Sequence, residues 1–175
     1  LGATSFAMAQ RAVDDCEVIA VDNASAMLNQ LSKTLAEQVL PTPISLLHAD
    51  IIDVDIHQAS VVAMNYTLQF IDIAERAKLL TGIREGMVDN GVLILSEKIQ
   101  FDNAQVNELF IDLHHDFKRA NGYSDLEISQ KRDAIENVLV PESLAMHRQR
   151  LVDCGFSRVE VWFQCFNFAS LVAFK

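Results

Sequence analysis

The amino-acid sequence predicts an α/β fold whose mostly parallel sheet ends in an antiparallel hairpin. Two observations predict it. As far as Lys98, short apolar runs that each end in a polar residue alternate with helical segments, which is typical of parallel strands joined by right-handed helical crossovers. Only a few residues separate the last two apolar segments, too few to hold a crossover helix. That final pair is therefore expected to be antiparallel.

The first part of the chain predicts two helices and two strands. Residues 4–13 are rich in Ala and Met and predict a helix. Residues 18–21 are continuously apolar and end in Asp22, which predicts a buried parallel strand covered on both faces. Ser25 is expected to cap a helix with one apolar face. A second strand is expected at residues 44–48.

The middle of the chain continues the same alternation. Residues 60–64 are apolar and end in Asn65, which predicts a third strand. A helix fits residues 74–88, and Asp, Asn and Gly at residues 89–91 predict a turn before a fourth strand at residues 92–95.

A helical insertion then changes the rhythm over about residues 102–153, and it is a candidate lid or substrate-facing element. Its last helix is expected to start at Pro141, a residue that suits the first helical position. The insertion is expected to hold three helices, at residues 103–119, 126–138 and 141–153. The chain is expected to close with two strands, at residues 157–164 and 168–174.

The composition indicates one acidic globular domain over residues 1–175. Half of the residues are hydrophobic and 22% are charged, which suffices for a stable core. The net charge of −10 argues against direct binding of nucleic acid, because that affinity rests on clustered Lys and Arg. We find no signal peptide and no apolar run near the roughly 20 residues that cross a bilayer. A cytoplasmic protein is therefore expected.

A parallel sheet that finishes in a hairpin is the layout of the class I S-adenosylmethionine-dependent methyltransferases, a Rossmann-like fold. The sequence enters a helix directly after Leu1, Gly2 and Ala3, so the first strand and most of the glycine loop are expected upstream of Leu1. In a doubly wound sheet that strand is central. Without it, the edges of two buried strands would be exposed.

Polar residues that end the strands are the first candidates for a ligand site, because ligands of such folds lie across the carboxyl ends of the strands. Asp22 could accept both ribose hydroxyls, or it could cap the next helix. Asp50 could accept an adenine amino hydrogen, with Ile51 packing on the ring, or it could form a turn. Asn65 could face a methionine moiety or satisfy a loop. Glu97 ends the fourth strand.

The helical insertion contains a second group of candidates. The run of His114, His115 and Asp116 resembles a metal cluster. Adjacent helix positions point about 100° apart, however, so the two imidazoles cannot readily converge on one ion, and no metal is expected. Arg132 lies in a local group of positive charges, where its guanidinium could bind a carboxylate or simply lie on a solvated helix face.

Five stretches carry a more specific signal: residues 65–70 (NYTLQF), 95–98 (LSEK), 114–124 (HHDFKRANGYS), 127–132 (EISQKR) and 162–168 (WFQCFNF). They closely resemble the carboxy-S-adenosyl-L-methionine synthases, bacterial enzymes of the wobble-uridine 5-oxyacetic acid pathway of tRNA. The resemblance covers essentially the whole chain.

The resemblance implies that S-adenosylmethionine and prephenate are converted to carboxy-S-adenosylmethionine and phenylpyruvate. The methyl group loses a proton to form a sulfonium ylide, which captures the carboxylate carbon released from prephenate. A separate transferase would then carry the group to tRNA. The resemblance also implies a homodimer, and residues 103–138 are where we expect its interface.

The resemblance also implies roles for particular residues. Asp22 and Asn23 match the family's ribose-binding pair, and Asp50 and Ile51 match its adenine-side pair. Two further positions match single residues of the family. Asn65 matches its strand-end amide, and Arg132 matches the arginine that binds the carboxylate. Gly2, in what remains of the glycine loop, is counted among the cofactor-binding residues.

Nothing in the sequence identifies a general base for the methyl proton, so the catalytic residue is left unassigned. Two other functions remain compatible with the residues. One is an ordinary small-molecule methyltransferase on the same fold. The other is a non-catalytic binding module that has lost its glycine loop.

Overall fold

The computed structural model describes residues 2–13, 15–136 and 138–175, and the side chains of these residues except 131 and 133–136. The chain divides into two compact units, residues 1–55 and 56–175. The single-domain organisation expected from the sequence stays a prediction.

The first unit contains a two-stranded parallel sheet and two helices. Residue Val18 pairs with Ile44 at one end of the sheet, and Asp22 pairs with His48 at the other. Parallel pairing therefore places the carboxyl ends of both strands at the same edge. In chain order the elements are α1 (Ala3–Ala9), β1 (Val18–Asp22), α2 (Ser25–Ala36) and β2 (Ile44–His48), followed by a 3₁₀ turn at Ile51–Asp53.

The second unit contains a four-stranded sheet flanked by helices. Its strand order is β3-β4-β6-β5, with β3 and β4 parallel and β6 antiparallel to both of its neighbours. The parallel strands and the closing hairpin are thus confirmed. The elements are β3 (Ala59–Asn65), α3 (Ile73–Gly86), β4 (Met87–Lys98), α4 (Ala104–Ala120), α5 (Asp125–Glu136), α6 (Leu144–Asp153), β5 (Ser157–Cys165) and β6 (Phe168–Phe174).

The core of the second unit is formed by alternate residues of β4 and β6 and by one face each of α3 and α6. Leu93 and Leu171 are fully buried on the strands, and Leu80 and Leu151 are fully buried on the helices. Alternation in the strands and helical spacing in α3 and α6 bring these side chains to one side of the sheet. Burying each such Leu contributes about 2 kcal/mol.

Strand β1 differs from its prediction in burial. Residues 18–21 were predicted to be covered on both faces, yet only Val18 is buried and Ile19 is 59% exposed. Among the described strands, β1 pairs with β2 alone. Its apolar residues are therefore not covered on both faces of the sheet.

Strand β4 is longer than predicted, because residues 89–91 form an irregularity inside it and no separate turn. The pairing register shifts between Ala59 and Val61 of β3, and Asn90 has a φ of 63°. Asn tolerates this left-handed conformation better than most residues. The chain therefore absorbs extra residues without leaving the sheet, as in a β-bulge.

Three predicted helix starts or ends were also wrong. Helix α1 ends at Ala9, four residues before the predicted end. The residue before α2 is Ala24, and no side chain caps that helix, so Ser25 is only its first residue. Helix α6 begins at Leu144, because Ser143 accepts a hydrogen bond from the Met146 amide at 3.3 Å and serves as the cap.

A buried ion cluster joins α3 to the start of α6. Arg76 is fully buried and forms an ion pair with Glu142, which also pairs with Arg150. Burial raises the pKa of Glu142, but hydrogen bonds from the two guanidinium groups outweigh burial and hold this pKa below its ordinary value. Removing one partner of such a cluster would leave an uncompensated buried charge, at a cost of about 3–5 kcal/mol.

His147 of α6 is buried beside this cluster. Among the described residues, neither of its ring nitrogens has a hydrogen-bond partner. The pKa of His147 is lowered to about 4, chiefly by burial; the negative charge of Glu142 opposes this shift, and the positive charges of Arg150 and Arg76 add to it. His147 is therefore neutral in the folded protein at neutral pH.

Replacing His147 with Met should change how stability depends on pH. The unfolded chain protonates this histidine near pH 6.5 and the folded protein only near pH 4, so its stabilising contribution is complete above pH 6.5 and declines as the pH falls. From pH 7.5 to pH 5.5, the free energy of unfolding of the wild type should therefore fall by about 1 kcal/mol more than that of His147→Met. Urea unfolding at both pH values measures it, and a constant difference would contradict the assignment.

Candidate functional site

Asp22 lies at the carboxyl end of β1, where the chain turns into α2. Its Oδ1 accepts a hydrogen bond from the Ala24 amide at 2.8 Å, and its backbone carbonyl accepts one from Ala49 at 3.3 Å. This is a local turn and not the helix cap considered as the alternative role, because Ala24 precedes α2 and no side chain caps that helix. It uses one carboxylate oxygen, so it does not prevent the carboxylate from binding a ligand.

The residues that follow β1 and β2 converge at the same edge of the first unit. The side-chain amide of Asn23 donates to Asp50 Oδ2 at 3.5 Å, and His48 Nε2 lies 3.1 Å from the Asn23 carbonyl oxygen. Asp50 Oδ1 accepts from the Ile52 amide at 3.3 Å and caps the 3₁₀ turn that starts at Ile51. The structure therefore brings Asp22, Asn23, Asp50 and Ile51 together.

Gly2 occupies the position before α1 with a φ of 72°. This left-handed conformation is one that residues with a Cβ rarely adopt. A Cβ at this position would also overlap the side chain of Leu31, a buried residue of α2. Packing within the first unit by itself accounts for a glycine here, whatever its role toward a cofactor.

Asn65 is the last residue of β3, and its side chain is exposed at the end of the strand. The chain then turns through Tyr66, which has a φ of 57°. The Tyr66 amide donates to the Ser96 carbonyl at 2.7 Å. The turn thus starts while the chain is still hydrogen-bonded to β4.

The position of Glu97 at the end of a strand predicts that it lies at the ligand edge, and this prediction is wrong. It is fully buried and accepts hydrogen bonds from the amides of Thr67 at 3.2 Å, Leu68 at 2.8 Å and Gln69 at 3.1 Å. Burial raises the pKa of Glu97 to about 7, against the opposing effects of the three amides and Arg76. Successive side chains of a strand point to opposite faces of the sheet, and this alternation points Glu97 toward the interior.

Arg132 lies in α5 and is exposed. Burial lowers the pKa of the nearby His115, and the charges of Lys118, Arg119 and Arg132 lower it further. Asp112 opposes this shift, and Arg119 is itself paired with Asp116 and Asp125. Three cations thus lie in one region of the acidic chain together with carboxylates.

The side chains of the predicted His cluster pack as aromatic rings. The His114 ring lies 4.8 Å from the Phe168 ring in an edge-to-face arrangement, and Asp116 pairs with Arg119 at 2.7 Å. Within the described part of the chain, no three His, Cys, Asp or Glu side chains form a group that could hold a metal ion.

An aromatic cavity of about 320 Å³ in the second unit was not predicted from the sequence. At its base, Ser170 Oγ lies 2.8 Å from Ser96 Oγ and accepts a hydrogen bond from Trp162 Nε1 at 2.7 Å. Its walls suit a flat unsaturated ring. Four separate segments supply the lining, which consists of Tyr66, Ser96, Trp162, Phe163, Phe168, Ala169 and Ser170.

Comparison with known proteins identifies the family. A profile described as a methyltransferase domain matches residues 1–91. A carboxy-S-adenosyl-L-methionine synthase of Geobacter metallireducens is 57% identical over 177 aligned residues, which cover all of this chain and 72% of the relative. The chain belongs to the carboxy-S-adenosyl-L-methionine synthase family. Synthases of Trichlorobacter lovleyi and Aliivibrio fischeri are 54% and 52% identical, with 72% and 73% of their lengths covered.

Solved structures confirm the class I methyltransferase fold of this synthase-family chain. An O-methyltransferase of Nostoc punctiforme described as putative superposes with a TM-score of 0.66 at 17% identity, and 98% of this chain spans 48% of that one. A magnesium protoporphyrin IX methyltransferase of Synechocystis with bound SAH superposes at 0.64 with 16% identity, over 99% of this chain and 69% of that one. At these identities the likeness concerns the fold alone.

None of the described helices combines the length and the apolar character needed to cross a bilayer.

Replacing Asp22 with Asn should weaken binding of S-adenosylmethionine. An Asn oxygen can still accept from the Ala24 amide, whereas the charge and second acceptor for the ribose are lost. The dissociation constant should rise about ten- to a hundredfold, as expected for a hydrogen bond to a charged group. Titration calorimetry measures it, with Asp53→Asn in the exposed 3₁₀ turn as control. Equal affinity of the Asp22 variant and wild type would contradict this role.

Proposed function

We propose that this chain converts S-adenosylmethionine and prephenate into carboxy-S-adenosylmethionine and phenylpyruvate. The observation that carries the proposal is the identity of 52–57% to synthases of this name over the whole chain. The converging Asp22, Asn23 and Asp50 support it, because their side chains supply the acceptors that a nucleoside requires.

The proposed reaction balances without an oxidant or a reductant. The bond between the ring and the carboxylate of prephenate breaks, and the ring becomes aromatic. Its hydroxyl group leaves as water with a proton taken from the methyl group of S-adenosylmethionine. A new carbon–carbon bond then joins the methyl carbon to the released carboxyl carbon. We assign no side chain as the base for the methyl proton.

The residues that match the family's cofactor-binding positions are assigned to parts of S-adenosylmethionine. We assign the ribose to Asp22 and Asn23, the adenine to Asp50 and Ile51, and the methionine side to Asn65. Gly2 is assigned to the cofactor loop. The chemistry of each side chain fits its assignment, since carboxylates accept from hydroxyl and amino groups and an amide can both donate and accept.

Arg132 is assigned to the added carboxylate. A guanidinium presents a planar fork that can bind a carboxylate with two parallel hydrogen bonds. Lys118 and Arg119 act with Arg132 on the pKa of His115, so further positive charge lies in the same region. In a chain with a net charge of −10, a local group of cations favours the binding of a carboxylate.

We also propose a homodimer that buries the apolar face of α4. This helix is strongly amphipathic, yet none of its 17 residues, all of which the structure describes, is buried. Val106, Leu109, Leu113 and Phe117 repeat at helical spacing and are 37–54% exposed. A second copy would cover them, because helices with such a stripe normally bury it.

The product is proposed to pass to a separate tRNA carboxymethyltransferase in the cytoplasm. The net charge of −10 fits the synthesis of a small diffusible reagent better than direct contact with tRNA. Direct binding of nucleic acid or of a membrane is not part of the proposal.

Replacing Arg132 with Ala should weaken the binding of carboxy-S-adenosylmethionine much more than the binding of S-adenosylmethionine. Only carboxy-S-adenosylmethionine carries the group assigned to Arg132, so its dissociation constant should rise about a hundredfold, as expected when one partner of a charged pair is removed. The affinity for S-adenosylmethionine should change little. Calorimetry with both ligands measures this selectivity.

The matched control is Arg148→Ala, which removes an exposed arginine of α6 that pairs with Glu160. This control should bind both ligands as the wild type does. Equal weakening of both ligands by Arg132→Ala, or a wild type with equal affinity for both, would favour an ordinary methyltransferase.

A further inference from the structure

We propose that Glu97 is a positioning residue for the synthase reaction, because its carboxylate fixes the turn that presents Asn65 and Tyr66 at the end of β3. The inference rests on the proposed placement of Asn65 beside the cofactor. Glu97 itself is fully buried and does not contact solvent.

Three consecutive backbone amides point at the Glu97 carboxylate. Its Oε1 accepts from Thr67 at 3.2 Å and from Leu68 at 2.8 Å, and its Oε2 accepts from Gln69 at 3.1 Å. These amides begin the 3₁₀ turn Leu68–Phe70, where backbone donors lack partners in the helix itself. Both oxygens are thus used on one short segment, which fixes its position and direction.

This segment follows a strained residue. Tyr66 has a φ of 57°, a left-handed conformation that a residue with a large side chain rarely adopts. Such conformations persist where the surroundings over-determine them, and they cluster at functional sites. Here the amide of Tyr66 is held by the Ser96 carbonyl on one side, and the three following amides are held by Glu97 on the other.

The same segment is tied to the chain that follows α5, the helix that carries Arg132. The Gln69 carbonyl accepts hydrogen bonds from the Val140 amide at 2.9 Å and from Arg76 at 3.2 Å, and Arg76 also donates to the Val140 carbonyl at 2.9 Å. Hydrogen bonds therefore connect the segment that Glu97 holds to residue 140.

The clamp depends on the charge of Glu97. An ionised carboxylate only accepts hydrogen bonds, so it can bind all three amides. A protonated carboxyl group carries a hydrogen, which would face the hydrogen of a backbone donor. Among the charged and titratable groups that face it, Arg76 of α3 lowers the pKa of Glu97 but burial dominates and raises it to about 7. Tyr66 in the turn has a pKa raised above 10, so it stays neutral at this pH.

The test compares Glu97→Gln with wild type in calorimetric titrations of S-adenosylmethionine from pH 8 to pH 6. The Gln amide has one acceptor and directs its NH₂ group at a backbone donor. At pH 8 the dissociation constant of the Glu97→Gln variant for S-adenosylmethionine should be about tenfold higher than that of the wild type. From pH 8 to pH 6 the affinity of the wild type should fall about tenfold more than that of the variant, because only the wild type has a carboxylate at residue 97 that becomes protonated in this range.

The matched control is Glu75→Gln, which neutralises an exposed carboxylate on α3 and should follow the wild type at every pH. A folded Glu97→Gln protein that binds as tightly as wild type, or that keeps the wild-type dependence on pH, overturns the proposal. If Glu97→Gln does not fold, Glu97→Asp decides. The Glu97→Asp protein, with a shorter carboxylate at this position, should bind the cofactor less tightly but keep the pH dependence, and unchanged affinity overturns the proposal.

Binding and turnover distinguish this proposal from the proposed function. A wild type that binds S-adenosylmethionine but forms no carboxylated product overturns the function and leaves the test of Glu97 valid. A wild type that does not bind S-adenosylmethionine overturns both.

Discussion

The second unit depends on one buried arrangement of charge. The Glu97 carboxylate accepts hydrogen bonds from three backbone amides, and the Arg76 guanidinium donates hydrogen bonds to one carboxylate and three backbone carbonyls. Together they satisfy the polar groups of an irregular segment inside an apolar core. Buried polar groups of this kind are costly unless all are paired. Since the segment between β3 and α3 contains no long helix or strand, these two side chains determine its path.

The same constraint connects fold and chemistry. A parallel sheet places the ends of its strands at one edge, but the direction of each following side chain depends on the turn that leaves the strand. In the first unit, Asp22 and Asp50 form those turns themselves, each with one oxygen. In the second unit, Asn65 is followed by a turn that a distant carboxylate holds. The two units thus position their proposed ligand groups by local and by long-range hydrogen bonds, respectively.

Much of this could be predicted from the sequence, because strand periodicity and short connections are local properties. The strand at Ile44–His48 and the closing hairpin are examples. The direction of Glu97, the start of α6 after Ser143 and the aromatic cavity depend on tertiary contacts between distant segments, which periodicity does not encode. Strand-end logic found Asp22, Asp50 and Asn65. Only the family resemblance distinguished Arg132 from other surface arginines.

The most direct test of the account is the fate of the methyl group. The protein is incubated with S-adenosylmethionine whose methyl group is fully deuterated and with prephenate labelled with ¹³C in its ring carboxylate, and the products are analysed by mass spectrometry. The account predicts a carboxylated cofactor that has lost one deuteron and gained the labelled carbon, together with unlabelled phenylpyruvate. An intact deuterated methyl group transferred to an acceptor, or a product without the labelled carbon, would contradict it.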